Sequence, residues 1–290
     1  MCEGRRGRSD ITPETVSDAR LAGHRQRRET VMDNIERVGD VLIQAERDRA
    51  AVGPVSDLVP GGLSLNLAHT ICERNIARRL EAGEQVAGFK VGFTNIAVRE
   101  KMGLPDSTYG YILEGMVLPS GGEFRMDDFV APKIETEICF RLVKDLAGCD
   151  LTIDQVLDAT DAVSASFEIC DARIRDWTCP YPDFFADNGF SARIVLSGRW
   201  VPVREVDLLG EAVVLRQDGE QIAEGRGEMA LGHPANAVTW LAGKLSERGR
   251  RLTAGAVIMT GTLTPIIPVV RGASYVGSFS TLGSVETTFV

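Results

Sequence analysis

The sequence lacks the features of membrane proteins, nucleic-acid-binding proteins and disulfide-rich secreted domains. Its 290 residues carry a net charge of -9, whereas nucleic acids and anionic membranes attract basic surfaces. No apolar run approaches the roughly 18 residues of a spanning helix, and no hydrophobic stretch of a secretory signal follows the N-terminal arginines. Six cysteines are too sparse for a disulfide scaffold at this length. We therefore expect a cytoplasmic protein whose partner is a small molecule, with neither nucleic acid nor a membrane as a partner.

Signatures of zinc and nucleotide sites are also missing. The three histidines, His24, His69 and His233, are far apart, and no Cys-x-x-Cys pair is present. No glycine-rich loop follows a predicted strand, which disfavours a dinucleotide site. His233 precedes a proline and is expected to fix a loop. A metal site in this chain would therefore be built from carboxylates, which suit Mg²⁺ or Mn²⁺.

Three carboxylates lie in stretches that otherwise have the pattern of buried strands. Alternate side chains of a strand share a face, so Glu135 and Glu137 point together, away from the apolar side chains between them. Glu168 lies in a second apolar run. Buried like charges lose hydration and repel, at several kcal/mol per ion, unless a cation neutralises them. A divalent metal would do so, and the alternative is a Glu-x-Glu pair on the solvated face of an edge strand.

Further candidates carry charge or hydrogen-bonding groups beside these strands. Lys90 projects from a face flanked by glycines, where it could meet an anion or, alternatively, face solvent on an edge strand. Asp187 and Asn188 follow an aromatic run and could serve a site or cap a turn. Asp171 and Arg173 could support a metal ligand or form a surface ion pair.

A threonine pair near the C-terminus is another candidate. Thr260 and Thr262 flank Gly261 at the end of an apolar run, where hydroxyls and a close backbone approach could dock a carboxylate. A simple turn is the alternative interpretation.

The pattern of apolar residues divides the chain into three parts. Residues 1–30 are polar and without periodic apolar positions, which predicts a flexible N-terminal extension. Helical spacing in residues 31–84 predicts a small helical N-terminal cap. From residue 85 the period changes to two, which marks the start of a β-rich catalytic domain, residues 85–290.

Local signals predict individual elements inside the β-rich part. Thr152 and Gln155 form a capping box that opens a short helix, and Asp218-Gly219 predicts a hairpin. Another helix is expected over Ala237 to Leu245. Four short β-type runs are predicted near the C-terminus: 256–259, 269–270, 275–279 and 285–289.

Taken in order, these motifs resemble the fumarylacetoacetate hydrolase superfamily, in its branch of 2-keto-4-pentenoate hydratases and 4-oxalocrotonate decarboxylases. The likeness covers roughly residues 35–290. It rests on Gly88 to Thr94, Tyr109-Gly110, Glu135-Thr136-Glu137, Phe167 to Arg173, Ala186 to Asn188, Leu231 to Pro234, and Thr260 to Thr262.

The resemblance implies an α+β fold, with a mixed β-roll core of the fumarylacetoacetate hydrolase C-terminal type, a small helical N-terminal cap, and assembly into a homo-oligomer. It also implies that Mg²⁺ or Mn²⁺ is held by Glu135, Glu137 and Glu168. It further implies that Lys90 and Asp187 line the substrate pocket, and from this position we expect both to be catalytic. We expect the substrate to be bound by Asn188, Phe190, Arg173, Thr260 and Thr262.

The sequence departs from the family pattern at three places. Thr136 replaces the usual proline between the two glutamates, and Asn95 stands where serine is common. Phe190, after Gly189, stands where relatives carry small residues. Its ring is expected to reshape the substrate pocket.

The resemblance implies a metal-dependent lyase that acts on 2-hydroxy-2,4-dienoate or 2-oxo-enoate acids. Hydration, as in a 2-keto-4-pentenoate hydratase, is the favoured reaction. The alternatives are decarboxylation of 2-oxohex-3-enedioate and a non-catalytic scaffold that binds metal and a keto acid. Decarboxylation would require a cation for the distal carboxylate, such as Lys90, Arg173 or Arg193. Hydrolysis of an acylpyruvate is disfavoured because no Glu-x-x-His pair is evident.

Overall fold

The structure is a computed structural model that describes the backbone of residues 13–290 and the side chains of residues 31–290. The predicted flexible extension therefore lies partly outside the described residues. Its last part, from residue 13 onward, belongs to a helix that continues to Asp48. The predicted boundary at residue 30 thus falls inside a helix, and the boundary between cap and catalytic domain stays a prediction.

Six α-helices occur in the described residues. They are α1 (Pro13–Asp48), α2 (Leu65–Glu81), α3 (Ile96–Lys101), α4 (Ile153–Asp158), α5 (Tyr181–Ala186) and α6 (Pro234–Glu247). In this part of the chain no helix is both long enough and apolar enough to cross a bilayer.

Fourteen strands occur in the described residues. They are β1 (Val86–Gly92), β2 (Thr108–Leu113), β3 (Val117–Pro119), β4 (Gly122–Phe124), β5 (Pro132–Leu142), β6 (Thr160–Asp171), β7 (Ser191–Leu196), β8 (Val201–Pro202), β9 (Ala212–Gln217), β10 (Glu220–Arg226), β11 (Val257–Met259), β12 (Ile267–Pro268), β13 (Ser274–Phe279) and β14 (Gly283–Phe289).

The strands form two mixed sheets. The larger has the order β2-β1-β11-β5-β6-β7-β3, with β12 beside β5 and β8 beside β6. The smaller has the order β10-β9-β13-β14-β4. Together with the helices at the N-terminus, this confirms the predicted α+β fold with a β-roll core.

Helix starts follow from local capping chemistry. The Ser64 side chain accepts a hydrogen bond from Leu67 N, 3.2 Å away, at the start of α2. The predicted capping box of Thr152 and Gln155 is confirmed at α4. His233 caps α6, since its Nδ1 accepts from Ala235 N at 3.0 Å. The expected role of this histidine in fixing a loop is therefore confirmed.

Most of the predicted β-type runs are strands. The hairpin at Asp218-Gly219 joins β9 to β10, and both residues have positive φ, as a tight hairpin turn requires. One run is wrong: Val269 and Val270 do not form a strand, whereas Ile267–Pro268 pairs with β5. Val269 N still donates to Pro132 O, so the chain leaves the sheet just after this pairing.

The packing of the two sheets decides which face of β6 carries chemistry. Phe167 is fully buried, and a Cβ at Gly277 of β13 would lie 2.9 Å from its ring. The smaller sheet therefore packs on the Phe167 face of β6. Glu168 is the next residue in the strand, so its side chain points to the opposite face. That face holds the candidate site.

Candidate metal centre and substrate cavity

Two of the predicted metal ligands face each other across neighbouring strands. Glu135 of β5 is the register partner of Glu168 of β6. Glu137 lies two residues further along β5, on the same face. Glu137 and Glu168 are completely buried, and Glu135 is partly exposed. Because β5 lies inside the sheet between β11 and β6, the alternative of a solvated edge strand is wrong.

The buried oxygens of these glutamates have few partners. Neither side-chain oxygen of Glu168 accepts a hydrogen bond from the described residues. Glu137 accepts one from Gly261 N at 2.7 Å through Oε2, and its Oε1 accepts none. Buried polar atoms without partners are rare because each loses its hydration without compensation. These oxygens of Glu137 and Glu168 are therefore suited to binding a cation.

One cation already lies in this group. Lys90 Nζ is 3.2 Å from Glu168 Oε2, and the lysine is 3% exposed. Its strand β1 lies between β2 and β11, so the alternative of a solvent-facing edge lysine is wrong. Three carboxylates and one ammonium leave two negative charges, which a divalent cation would balance.

The pKa values report the same excess of negative charge. Burial and then the charge of Glu168 raise the pKa of Glu135 to about 7. Burial, with Glu168 and Glu135, raises the pKa of Glu137 well above its usual value. Burial alone would lower the pKa of Lys90, but the negative potential of Cys170 and the glutamates outweighs it, and that pKa is raised.

A cysteine, Cys170, belongs to the same group. Potential ligand atoms of Glu135, Glu168 and Cys170 all lie within 4.8 Å of one another. Cys170 Sγ is 3.7 Å from Glu135 Oε2 and 3.9 Å from Lys90 Nζ. Its spacing of two residues from Glu168 could have revealed the shared face. Burial and Glu168 raise the pKa of this thiol well above its usual value.

A cavity of about 530 Å³ opens above this charged group. Its polar part includes Lys90, Lys133, Glu135 and Cys170, and much of the rest is apolar. The apolar lining includes Phe93, Val98, Met102, Trp177, Phe184, Phe190, Met229 and Ile266. Such a cavity can hold a small acid with its charged end at the glutamates and its carbon chain among the rings.

The predicted substrate residues Phe190 and Thr262 line this cavity. Phe190 reaches it through an unusual backbone, because Asn188, Gly189 and Phe190 all have positive φ. The segment lies against β2 so closely that a Cβ at Gly110 would be 2.1 Å from Asn188 O. Glycine at position 110 therefore allows the contact that places the Phe190 ring.

Asp187 and Arg173 lie outside the cavity lining and bind each other. Arg173 Nε donates to Asp187 Oδ1 at 2.5 Å, and Arg173 N donates to Oδ2 at 2.9 Å. Burial raises the pKa of Asp187 to about 7, although Arg173 opposes this shift. The two residues line a separate cavity of about 50 Å³ beside α1 and α2. The positions of Asp187 and Arg173 therefore give no support to the prediction that they contact the substrate.

Asn188 and Thr260 also use their side chains inside the protein. Asn188 Oδ1 accepts from Tyr111 N at 2.7 Å, and its Nδ2 donates to Tyr111 O at 2.9 Å. Thr260 donates to Ile138 O at 2.8 Å. Asn188 therefore ties the strained segment to β2, and Thr260 holds β11 against β5.

Cations for a distal carboxylate were expected among Lys90, Arg173 and Arg193. Arg193 lies over the Phe129 ring, with 5.8 Å from Cζ to the ring centroid, and does not line the cavity. Lys133, which the sequence analysis did not single out, does line it, with Nζ 4.0 Å from the Trp177 ring centroid. Asp171, expected beside Arg173 as support or surface pair, instead accepts from Val130 N and Ala131 N.

Comparisons with known proteins show which family the chain resembles. The family described as Fumarylacetoacetate (FAA) hydrolase C-terminal matches residues 87–290. A 2-keto-4-pentenoate hydratase of Burkholderia vietnamiensis is 36% identical over 248 residues, 86% of this chain and 94% of the relative. A 4-oxalocrotonate decarboxylase of Pseudomonas sp. strain CF600 is 37% identical over 216 residues, 74% of this chain and 82% of the relative.

A solved structure shares the fold over most of its length. The 4-oxalocrotonate decarboxylase from Pseudomonas putida G7, complexed with magnesium and adipate, superimposes with a TM-score of 0.82 at 32% identity. The match covers 88% of this chain and 98% of that one.

Proposed function

The chain belongs to the fumarylacetoacetate hydrolase family, and from this premise we propose that it is a metal-dependent lyase that hydrates a 2-hydroxy-2,4-dienoate. The observation that carries the proposal is the set of buried glutamate oxygens without partners at the charged end of a largely apolar cavity. Several relatives of this length are 2-keto-4-pentenoate hydratases.

The donor set fits a hard divalent cation. We propose that Glu135, Glu137 and Glu168 hold Mg²⁺ or Mn²⁺, because carboxylate oxygens are the ligands these ions prefer. The free oxygens of Glu137 and Glu168 and the two uncompensated negative charges support this assignment. A bound ion would supply Lewis-acid stabilisation of negative charge on the oxygen at carbon 2 of the substrate.

Lys90 is the proposed catalytic residue of the chain. Its ammonium contacts Glu168 and lines the cavity, so its remaining N–H groups can donate to an anionic or enolic oxygen of the acid. A Cβ at Gly92 would lie 3.4 Å from Lys90 Nζ, so the glycine keeps this side of the ammonium open. Burial holds the ammonium in place without the reorganisation that water would require.

The apolar wall orients the carbon chain. Phe184 and Phe190 pack with ring centroids 4.8 Å apart, and Trp177 packs edge-on against Phe190 at 5.2 Å. A flat conjugated dienoate can lie against this wall of rings, with its carboxylate toward the glutamates. Proton transfer by Asp187 stays a prediction, since its carboxylate faces Arg173.

The test is ultraviolet monitoring of 2-hydroxypenta-2,4-dienoate with the metal-free protein and with added Mg²⁺ or Mn²⁺. We expect the absorbance of the conjugated acid to fall only with metal, as a hydrated 2-oxo acid accumulates. Glu168→Gln should reduce kcat/KM at least 100-fold, since removal of a buried charged ligand costs several kcal/mol. Glu220→Gln, at the exposed tip of the β9–β10 hairpin, is the matched control.

Metal bound at one equivalent with no change in absorbance would contradict the proposal. If 2-oxohex-3-enedioate is also left unchanged, the non-catalytic scaffold becomes the better interpretation.

Decarboxylation of a dicarboxylate is a second candidate function. The position of Lys133 in the cavity is the observation that favours it. Lys133 forms no ion pair within the described residues, and it lies in the cavity against Trp177. Asp176 and Trp177 both have positive φ, so a strained backbone places the indole under this cation. Lys133 could therefore bind the distal carboxylate of 2-oxohex-3-enedioate.

Release of carbon dioxide from 2-oxohex-3-enedioate distinguishes the two reactions. If decarboxylation is the main activity, Lys133→Met should raise KM for the dicarboxylate at least tenfold and leave hydration of the monocarboxylate nearly unchanged. Lys144→Met, an exposed lysine beyond β5, is the control. Equal effects of Lys133→Met on both acids would exclude this role.

We further propose a homo-oligomer, as the resemblance implies. Size-exclusion chromatography with light scattering tests it directly, and a mass of one chain at micromolar concentration would contradict it.

A further inference from the structure

Cys170 lies beside the candidate metal centre. It follows Glu168 by two residues on the same face of β6, and it is the register partner of Lys133 across β5. Its side chain lines the cavity beside Glu135, although the residue is 3% exposed. The sulfur therefore lies beside Glu135 at the wall of the cavity.

The distances fit a shared coordination shell. In zinc sites, metal–sulfur bonds are about 2.3 Å long and metal–oxygen bonds about 2.1 Å, so a sulfur and an oxygen on one such ion lie at most about 4.4 Å apart. Cys170 Sγ lies 3.7 Å from Glu135 Oε2. Ligand atoms of Glu135, Glu168 and Cys170 are mutually within 4.8 Å. A small movement of side chains would bring all three onto one ion.

A second observation points to the same place. Glu168 is completely buried, and neither of its oxygens accepts a hydrogen bond within the described chain. Lys90 offers one charge at 3.2 Å from Oε2. Glu168 Oε1 therefore has no partner in the described chain. The Cys170 thiol belongs to the same group, with its sulfur within 4.8 Å of a Glu168 oxygen.

We propose that Cys170 supplies a sulfur ligand to the metal ion held by the glutamates, and that this ligand shifts the selectivity of the site from Mg²⁺ toward Mn²⁺ and softer ions. The inference rests on the proposed function only through its metal site. Thiolate ligands favour transition metals, whereas Mg²⁺ selects oxygen. On coordination the S–H bond breaks, a sulfur–metal bond forms, and the proton leaves to water.

Cobalt substitution tests the sulfur ligand directly. Metal-free protein is titrated with Co²⁺ alone, while bound cobalt is counted and the near-ultraviolet spectrum is recorded. We expect one equivalent of cobalt and a sulfur-to-cobalt charge-transfer band. Cys170→Ser and Cys170→Ala should retain cobalt but lose the band. The control is Cys139→Ala, which replaces a buried cysteine of the neighbouring strand β5. This variant should keep the charge-transfer band.

A second measurement gives the selectivity without activity. The ratio of the Mg²⁺ dissociation constant to that of Mn²⁺ should fall about tenfold or more in Cys170→Ser, the size expected when a supporting group of a metal site is lost. Unfolding in chelator checks that each variant folds.

The outcomes separate the two proposals. Cobalt bound without the band, or a band that persists in both Cys170 variants, would overturn the sulfur ligand while leaving the glutamate site intact. An unchanged Mg²⁺ to Mn²⁺ ratio would overturn the shift in selectivity. Failure of the wild type to bind cobalt, magnesium or manganese would overturn the metal site itself, and the proposed function with it.

Discussion

Lys90 Nζ lies 3.2 Å from Glu168 Oε2, and both side chains are withdrawn from solvent. This ammonium is the cation that the described structure sets closest to the buried glutamates. A buried charge that loses its partner keeps its full desolvation penalty, whereas loss of both charges does not. We therefore expect replacement of Lys90 and replacement of Glu168 to have very different effects on the free energy of unfolding.

In chelator, Lys90→Met should lower the free energy of unfolding by about 3–5 kcal/mol, since Glu168 would remain buried without a counter-ion. Glu168→Gln should be close to neutral or stabilising, because it removes one of the mutually repelling charges. The double variant should be more stable than Lys90→Met alone. Urea unfolding of the four proteins measures the cycle, and a double variant that is no more stable than Lys90→Met alone would contradict it.

Gly110→Ala should destabilise the protein and disturb the cavity. The added Cβ would lie 2.1 Å from Asn188 O, a backbone atom that cannot move aside cheaply. We expect a loss of about 3 kcal/mol or more, at the upper end for an overpacked site. Gly115→Ala is the matched control, because nothing lies within 4 Å of its Cβ and its φ is not positive. Equal melting temperatures for the two variants would rule out this account.

Phe190→Leu should relax the size limit of the cavity. The ring is 3% exposed and packs on Phe184 and Trp177, so its removal frees space at the apolar wall. For dienoates with a bulky distal substituent, kcat/KM relative to the unsubstituted acid should rise about tenfold, the scale of a few carbon atoms in an apolar pocket. Phe124→Leu, in an aromatic cluster outside the cavity, is the control. An unchanged ratio would mean that Phe190 does not set substrate size.

His69 predicts how stability depends on pH. Burial, and then the charge of Arg248, lowers its pKa to about 4 from an ordinary value of 6.5. The ring packs on Tyr109 and Phe185 beside a second cavity of about 400 Å³. Between these two pH values the unfolded chain binds the proton first, so stability contributed by neutral His69 falls as pH drops from 6.5 toward 4.

His69→Gln should flatten this dependence. Urea midpoints at closely spaced pH values between 4 and 7 give the slope for wild type and variant. The wild type should lose more stability on acidification than the variant does. Parallel slopes would show that His69 takes no part.

Much of the fold was predictable from local pattern. The period of two in β5 and the capping box at Thr152 were confirmed because short-range backbone geometry determines both. The prediction of a strand at Val269-Val270 was wrong, because β propensity does not tell which of several apolar residues will pair with a neighbouring strand.

The site was predictable only in part. The ordered motifs identified the family, and the face shared by Glu135 and Glu137 followed from strand geometry alone. Spacing could not tell that Arg173 would form an ion pair with Asp187. Lys133, which lines the cavity and forms no ion pair within the described residues, was not predicted either, because whether a charge is paired depends on neighbours distant in sequence.

By itself the sequence determined the alternation of strands, the helix caps and the inventory of carboxylates, since each depends on residues close together in the chain. Only the tertiary structure decided that Glu168 lies opposite Glu135, that Cys170 lies beside both, and that Asp187 binds Arg173. The physical reason is register: one residue of slip between β5 and β6 would replace these partners with others, and the packing of the whole sheet, which no local pattern encodes, sets that register.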